Sequence, residues 1–451
     1  MDEPTGLYGS NLNTVERRAA ITRGRIPVAV YGLGKMGLPL AAVYADVTGN
    51  TIGVDIDESV VERVNAGESH VKREPGLPEL VESVVEAEAL RATTDSVGAA
   101  ETAAVHVLMV PTLLDEDDDP DLSVLKSVVR DVAEGLSPGD LVIVESTTPP
   151  RTTQDMVQPL LVEGSGLEPG SFGVASCPER TVSGQAIADV RGTHPKIVGG
   201  VDKESTRTAA QIYDVISENE VIETSGATVA EAVKVFEGVY RDVNIALANQ
   251  LATYSRAMDV DVLEAIEVAN TQPFCDIHDP GPGVGGHCIP VYPYFLTNTF
   301  EGDGSLLRTA RRVNDEMADH TAALLGQILE AHDLNRKGPR VLLFGMTYKA
   351  NINELRNAPA TRLATLLADA GATVLAVDPL IEDWETVDAV TPVSLADSYA
   401  AEADVVVLIT PHDEFQKLDW EAFDAPILDG RGMIDRESTE APVYWIGGPW
   451  P

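Results

Sequence analysis

The sequence predicts an α/β protein in which two doubly wound parallel sheets are joined by a central long helix. Three observations carry that expectation. Short Val/Ile-rich runs alternate with amphipathic segments in both halves of the chain, the pattern of strands connected by crossover helices. From Thr228 to Asp259 there is one glycine and no proline, and Val229, Val233, Phe236, Tyr240, Val243, Leu247 and Leu251 recur at helical spacing. The openings PVAVYGLG and PRVLLFGM, and the strand ends VLMVPT and VLITPH, repeat one architecture.

In chain order, the first tract that reads as folded is the strand IPVAVYG, which runs into GLGKMG at Gly32–Gly37. A helix is expected over Leu38–Val47, and the strand TIGVDID then ends at Asp55. That order suits a dinucleotide: Gly32 for the tight turn, Gly34 for open backbone beside the pyrophosphate, Gly37 for close helix packing, and phosphate at the helix N-terminus. Asp55 would accept bonds from ribose hydroxyls and repel a 2′-phosphate, which favours NAD over NADP. Further strands are read in AAVHVLMVPT, DLVIVEST, FGVASCPE and KIVGG, with Thr112, Thr147 and Glu179 each just past a strand end, where ligands of such sheets gather. The helix of roughly 30 residues is expected to connect domains and to form a dimer core. After a polar linker near Asn335–Arg340 come the strand VLLFG, a helix over Ala358–Ala370, the strands TVLAVDP and DVVVLITP, and PILDGRG. This second copy lacks GxGxxG and is expected to bind something other than a second NAD.

Composition narrows the function. The 451 residues are 44% hydrophobic without a long apolar run, so two or three domains and no membrane span are expected. The acidic start, without a basic flank or apolar core, does not read as a secretory signal, and a cytoplasmic location is expected. Thirty-two basic residues against 72 acidic ones give a net charge of −40, which disfavours nucleic acid and anionic membranes and suits a high-salt, halophilic cytoplasm. Cys177, Cys275 and Cys288 show no metal-ligand spacing, so neither a zinc site nor a disulfide framework is expected.

The chemistry centres on Asp279–Pro290, DPGPGVGGHCIP. Four glycines and three prolines in twelve residues build a loop for close approach rather than for apolar burial, and it presents one thiol, Cys288. With a nicotinamide domain, a thiolate can add to an aldehyde; hydride loss from the thiohemiacetal gives a thioester that water cleaves. His287 is not expected to serve as the base, because neighbouring side chains on an extended segment diverge.

GLGKMGLP, VPT at Val110, EST at Glu145, CPER at Cys177, AEAVK at Ala230, RDVNIALANQLA at Arg241, GPGVGGHCIP, RRVND at Arg311, TYK at Thr347 and DGRG at Asp429 occur in the order of a known family. From about Val28 onward the chain resembles the UDP-glucose/GDP-mannose dehydrogenases, nucleotide-sugar 6-dehydrogenases, and most of all the branch acting on UDP-N-acetylmannosamine and related sugars. The resemblance implies an N-terminal extension (1–24), an NAD-binding Rossmann domain (25–222), a central helical domain with the cysteine loop (223–332) and a C-terminal UDP-sugar-binding domain (333–451). It implies a homodimer or higher oligomer and oxidation of a C6 alcohol to the carboxylate with two NAD. Cys288 would be the nucleophile, Lys234 would stabilise the oxyanion, Glu179 would position water, and Thr147 would lie near the nicotinamide. Met36 and Thr112 would join the cofactor site; Arg241, Asn244, Gly283, Gly286, Lys349 and Arg356 would contact the sugar nucleotide.

The chain departs from the family pattern at four places. Tyr292 stands where an aspartate is usual, Gly238 where an asparagine is usual, Phe274 where an arginine is usual, and a PPG turn has become Pro149–Pro150–Arg151. Two readings stay open: a working dehydrogenase with an altered site, or a protein that binds NAD and nucleotide sugar without completing the oxidation. A third, a two-electron hydroxyacid-type dehydrogenase, would have no need of Cys288.

Overall fold

The computed structural model describes residues 6–334, 337–436 and 439–449. These divide into two compact units, residues 1–237 with 294–300, and residues 238–293 with 301–451. The first two residues of the linker expected near Asn335–Arg340 lie outside the described residues.

The first unit contains the strands β1 (Val28–Tyr31), β2 (Thr51–Val54), β3 (Leu90–Thr93), β4 (Val105–Leu108), β5 (Leu113–Leu114), β6 (Pro120–Asp121), β7 (Leu141–Val144), β8 (Gly173–Ser176), β9 (Lys196–Gly200) and β10 (Val221–Glu223). Eight of them form one sheet in the order β10-β9-β8-β7-β4-β1-β2-β3, and β5 and β6 form a small hairpin. From β3 to β8 every pairing is parallel, so the sheet is doubly wound and its strand order reverses between β1 and β4. β1, β2, β4, β7 and β8 are buried along their whole length because helices cover both faces, giving one apolar core per face. KIVGG departs from the expected parallel sheet: β9 pairs antiparallel with β8, so β9 and β10 reverse the sheet's direction at this edge.

Residues ahead of β1 are also built into this unit. Asn13 and Glu16 close a capping box on the helix Thr14–Thr22. Arg17, 1% exposed, donates to the Leu12 and Ser10 carbonyls and to Gln211 of the helix Lys203–Ile216. The folded tract therefore begins well before IPVAVYG. Its polar helix lacked an apolar stripe to show this, since the docking is made by one buried guanidinium.

The long helix runs over Ala227–Ala252, and a separate turn of helix follows at Ser255–Met258. It is shorter than the pattern Thr228–Asp259 suggested, because periodicity does not register the break at Thr253–Tyr254.

The second unit holds β11 (Arg340–Phe344), β12 (Thr373–Val377), β13 (Thr391–Pro392), β14 (Val405–Leu408), β15 (Ile427–Asp429) and β16 (Val443–Trp445). They form an all-parallel sheet in the order β13-β12-β11-β14-β15-β16, the same winding as the first, with a core on each face.

The turn at Pro149–Pro150–Arg151 has a local signature. Arg151 takes φ +79°, the left-handed region that favours glycine. Buried Glu231 holds the turn, accepting from the Arg151 and Thr153 amides at 2.6 and 2.7 Å and from the Thr153 hydroxyl at 2.6 Å. Burial raises the Glu231 pKa, and these bonds work in the opposite direction. Arg151→Gly is expected to raise the free energy of unfolding by about 1 kcal/mol by removing the left-handed strain. Denaturant titration in multimolar KCl checks this, and a loss of stability would mean that the Arg151 side chain contributes more than its backbone costs.

Candidate active site

In the first unit the three glycines divide their work. Gly32 takes φ +94°, and a Cβ on it would lie 2.3 Å from the Met109 carbonyl oxygen. A Cβ on Gly37, the first residue of the helix Gly37–Thr48, would lie 1.9 Å from the Gly32 oxygen, whereas one on Gly34 meets nothing within 4 Å. Turn and helix thus allow no side chain at two positions and leave open backbone at the third, beside a helix N-terminus whose cap residue Met36 makes no side-chain cap bond. This fits a pyrophosphate. Asp55, past the end of β2, accepts from the Leu33 amide at 2.8 Å and so also holds the turn.

Thr112 and Thr147 are brought together: the Thr112 hydroxyl donates to the Thr147 carbonyl at 2.6 Å. Ser146 Oγ ties the ends of β4 and β7 by donating to the Val110 carbonyl and accepting from its amide, both at 2.8 Å. Glu179 and Lys234 are also brought together, with Nζ 3.8 Å from Oε2 and both side chains mostly buried. Glu179 accepts from the Thr181 amide, and the Thr181 hydroxyl donates to the Met36 sulfur at 2.9 Å. Met36, Glu179 and Thr181 line one cleft. That cleft also holds a group the sequence reading missed: buried Glu145, bonded by Lys196 Nζ at 2.7 and 2.8 Å and by the Tyr213 hydroxyl. Burial raises the Glu145 pKa against the pull of Lys196. Cys177 is fully buried, and burial pushes its thiol far above the usual range, so it is no nucleophile.

In the second unit the Gly/Pro loop is gripped from several sides. Asp242 on the long helix accepts from Arg311 and from Asn314. Asn314 in turn accepts from Asn249, whose oxygen accepts from the Gly281 amide at 2.8 Å. Arg431 of the DGRG segment donates to the Ile409 and Gly283 carbonyls at 3.2 and 3.4 Å. A Cβ on Gly286 would lie 2.7 Å from the Tyr348 ring, and one on Gly283 would lie 3.2 Å from Pro359. Asn357 donates to the Gly286 carbonyl, and the Gly286 amide donates to the Arg356 carbonyl, both at 2.9 Å. Gly283 and Gly286 thus allow close packing of the loop on the segment 348–359.

Cys288 begins a helical turn, its carbonyl accepting from the Val291 and Tyr292 amides at 3.1 and 3.0 Å. The chain turns here rather than extending, and the His287 Nδ1 lies 3.5 Å from Glu354 Oε1. Its neighbours Cys288 and Glu354, in that order, raise the His287 pKa to about 10.

Of the residues expected at the sugar, Lys349 is exposed, and Arg356 is exposed with its Nε 3.8 Å from Glu354. Arg241 is exposed on the long helix. Asn244 is committed to the protein: it donates to the Asp276 carbonyl at 2.6 Å and to Tyr240, and accepts from the His278 amide. It positions the segment 276–278. Asp242 and Asn249, seven residues apart on one buried helix stripe, went unread because a polar residue on a core-facing helix looks like any other polar residue until its partners are known.

The strand ends of the second sheet carry a polar cluster that the sequence reading also missed. Gly345 repeats the Gly32 turn at φ +85°, but Asp378 Oδ2 accepts from both the Met346 and Thr347 amides. His412 accepts from the Asn351 amide at Nδ1, so Nε2 carries the hydrogen and donates to Asp378 at 3.1 Å. Amides at this turn are thus already bonded, which physically separates this copy from a dinucleotide turn.

Two doubly wound sheets, a glycine turn fitted to a dinucleotide and a thiol on a fixed glycine loop define an NAD-dependent oxidoreductase. Residues 26–217 match the NAD binding domain of the UDP-glucose/GDP-mannose dehydrogenase family, 228–316 its central domain and 342–436 its UDP binding domain. The chain is 36% identical over 425 residues to the UDP-N-acetyl-D-mannosamine dehydrogenase of Pyrococcus horikoshii, covering 93% of this chain and 97% of that protein. It is 36% identical over 417 residues to the NDP-N-acetyl-D-galactosaminuronic acid dehydrogenase of Ralstonia nicotianae, covering 90% and 96% of the two. A solved structure of the Pyrococcus horikoshii UDP-D-ManNAc dehydrogenase superposes with a TM-score of 0.85 at 35% identity, covering 94% of this chain and 99% of that one. The chain belongs to the UDP-glucose/GDP-mannose dehydrogenase family; it is an NAD-dependent nucleotide-sugar dehydrogenase.

Gly238 and Tyr292 are packed against one another. A Cβ on Gly238 would lie 2.3 Å from Cδ2 of the buried Tyr292 ring, so the ring fills the space that any side chain at 238 would need. Gly238→Ala is therefore expected to destabilise the protein by about 1–3 kcal/mol. In a Tyr292→Ala background the same change is expected to stabilise by up to about 1 kcal/mol, since alanine is the better helix former. A double-mutant cycle by denaturant unfolding measures the change of sign, and additive effects would show that the two positions are not coupled.

Proposed function

We propose that the protein oxidises the C6 alcohol of a nucleotide sugar, UDP-N-acetylmannosamine or a related UDP-hexose, to the uronate with two NAD. The observation that carries this reading is Cys288, on a loop whose glycines leave little room for side chains and whose backbone is bonded to the segment 356–357. NAD supplies the hydride acceptor. In the first step the alcohol loses a hydride and a proton to become the aldehyde. The Cys288 thiolate adds to its carbon, and loss of a second hydride leaves a thioester. Water hydrolyses this to the carboxylate and frees the thiol. The sum is alcohol, two NAD⁺ and one water giving carboxylate, two NADH and three protons. Lys234 supplies positive charge for the oxyanion, Glu179 and Thr147 order water, and Lys349, Arg356 and Arg241 contact the sugar nucleotide.

The protein acts as a homodimer in a salt-rich cytoplasm in this reading. Tyr240, Leu247, Tyr254 and Met258 present an exposed apolar stripe at spacings of seven, seven and four, and Phe274 is 93% exposed. No helix among the described residues is long and apolar enough to cross a membrane. The net charge of −40 is tolerable where salt screens over only a few ångströms.

The test is NADH formed per sugar consumed in multimolar KCl, across UDP-glucose, both UDP-N-acetylhexosamines and GDP-mannose. Two NADH per sugar over many turnovers is the expected result, with turnover abolished in Cys288→Ala. Tight binding of NAD and UDP without NADH from any sugar would instead favour the non-oxidising reading, in which the Tyr292 ring over Gly238 has closed the site to the complete reaction. Unchanged turnover in Cys288→Ala would remove the thioester route.

A further inference from the structure

The polar cluster at the strand ends of the second sheet surrounds the loop that carries Lys349. One imidazole, that of the fully buried His412, holds this loop two residues before the lysine and two residues after it. On the near side the Nε2 hydrogen faces Thr347 Oγ1 and Asp378 Oδ2, both at 3.1 Å. On the far side Nδ1 accepts from the Asn351 amide at 2.9 Å. Asp378 also accepts from the Met346 and Thr347 amides at 2.8 and 3.0 Å, and the Thr347 hydroxyl donates to the Lys349 carbonyl at 3.4 Å. Two more bonds join the loop to the residues around His412: the Thr410 hydroxyl donates to the Thr347 carbonyl at 2.5 Å, and the Asp413 amide donates to Asn351 Oδ1 at 3.2 Å. Burial works against the Asp378 carboxylate, but the bonds from His412 and from the Leu380 and Thr347 amides hold its pKa below the usual range, so it is charged and only accepts.

The two ring nitrogens cannot exchange duties. A nitrogen that accepts an amide hydrogen carries none of its own, so Nδ1 is bare, Nε2 is protonated, and the ring is a neutral tautomer with a fixed direction. Phe415 packs edge-on against it with centroids 5.3 Å apart and holds the ring plane. Asn351 takes φ +64°, a left-handed conformation that asparagine tolerates and that its bonds to His412 and Asp413 fix. We propose that His412 is a positioning residue for substrate: by bridging Thr347 and Asn351 it presents Lys349 to the sugar nucleotide without touching that ligand itself. A loop held in place beforehand lowers the ordering cost that binding must otherwise meet. The proposal rests on the reading of Lys349 as a contact of the sugar nucleotide.

The test is UDP binding to the full-length protein, measured by calorimetry in multimolar KCl, which needs no turnover. Lys349→Ala is expected to weaken UDP by about tenfold, the scale of one hydrogen bond to a charged group. His412→Phe keeps a flat ring and removes both nitrogens; it is expected to weaken UDP by about three- to tenfold through the lost preorganisation. The double variant is expected to bind no more weakly than Lys349→Ala alone, because His412 acts through Lys349. His412→Asn places a carbonyl oxygen near the position of Nδ1 and is expected to recover most of the affinity. His412→Gln can reach Asp378 but leaves the Asn351 amide without its acceptor, and is expected to recover little. A residue needed only for packing would rank these two the other way, since glutamine is closer to histidine in volume.

Circular dichroism checks that each variant is folded. Should His412→Phe not fold, His412→Asn and His412→Gln carry the comparison. Wild-type UDP affinity in the His412 variants, beside a loss in Lys349→Ala, would overturn the proposal alone. Additive losses in the double variant would also overturn it, since His412 would then act elsewhere than on Lys349. Unchanged affinity in Lys349→Ala, or no UDP binding by the wild type, would instead remove the reading of Lys349 and the proposal with it.

Discussion

The constraint on which both sheets depend is a close approach of backbone at the point where the strand order reverses. In the first sheet a Cβ on Gly32 would strike the Met109 carbonyl at 2.3 Å; in the second a Cβ on Gly345 would strike the Thr410 carbonyl at 2.3 Å. In each, the glycine amide donates to the last residue of the neighbouring strand, Val54 or Val377. An aspartate one residue later, Asp55 or Asp378, accepts from the amide that follows the glycine. The two copies share backbone, winding and carboxylate. They diverge in what comes next: open backbone at Gly34 beside a helix start, against Thr347 and His412 closing on Asp378. One local change in hydrogen-bond supply turns a dinucleotide turn into something else, with the scaffold untouched.

Charge is distributed by the same logic. With 32 basic residues against 72 acidic, cations are scarce, and several are spent inside. Arg17 and Arg311 are buried, and Lys196 and Lys234 are mostly so, each facing a carboxylate. Removing one partner of such a pair strands the other charge in a medium that solvates it poorly, which is more costly than the pair is stabilising. The acidic surface is therefore a matter of solvent, and the buried pairs are a matter of geometry: Glu145 with Lys196 at the cleft, Asp242 with Arg311 behind the Gly/Pro loop.

Legibility in the sequence followed the reach of each interaction. GLGKMG and the Val/Ile runs speak through local sterics, so the sheet class and the dinucleotide turn could be read in advance. Contacts between distant segments could not. Asn244 was expected at the sugar by resemblance; its carboxamide also bonds the segment 276–278, and the residues that hold the loop are its neighbours Asp242 and Asn249. The antiparallel β9 and the helix Thr14–Thr22 were missed for a related reason. A strand carries no mark of its direction, and one buried arginine carries no periodicity.

The turn at Cys288 shows where a local reading of the chain direction is overridden. Adjacent side chains diverge on an extended chain, and the residues GGHCIP contain nothing to say that the chain stops being extended there. The reversal comes from backbone bonds: the Cys288 carbonyl accepts from the Val291 and Tyr292 amides, and the Gly286 amide and carbonyl are both bonded to the segment 356–357. Once both sides of a dipeptide are tied down, the torsions between them are set by the ties rather than by preference. The glycines on one side permit that grip and the helical turn on the other completes it, so the placement of Cys288 is a property of the loop's anchoring. The features that made the loop conspicuous, its glycines and prolines, therefore act indirectly, by letting the chain be held on both sides of Cys288.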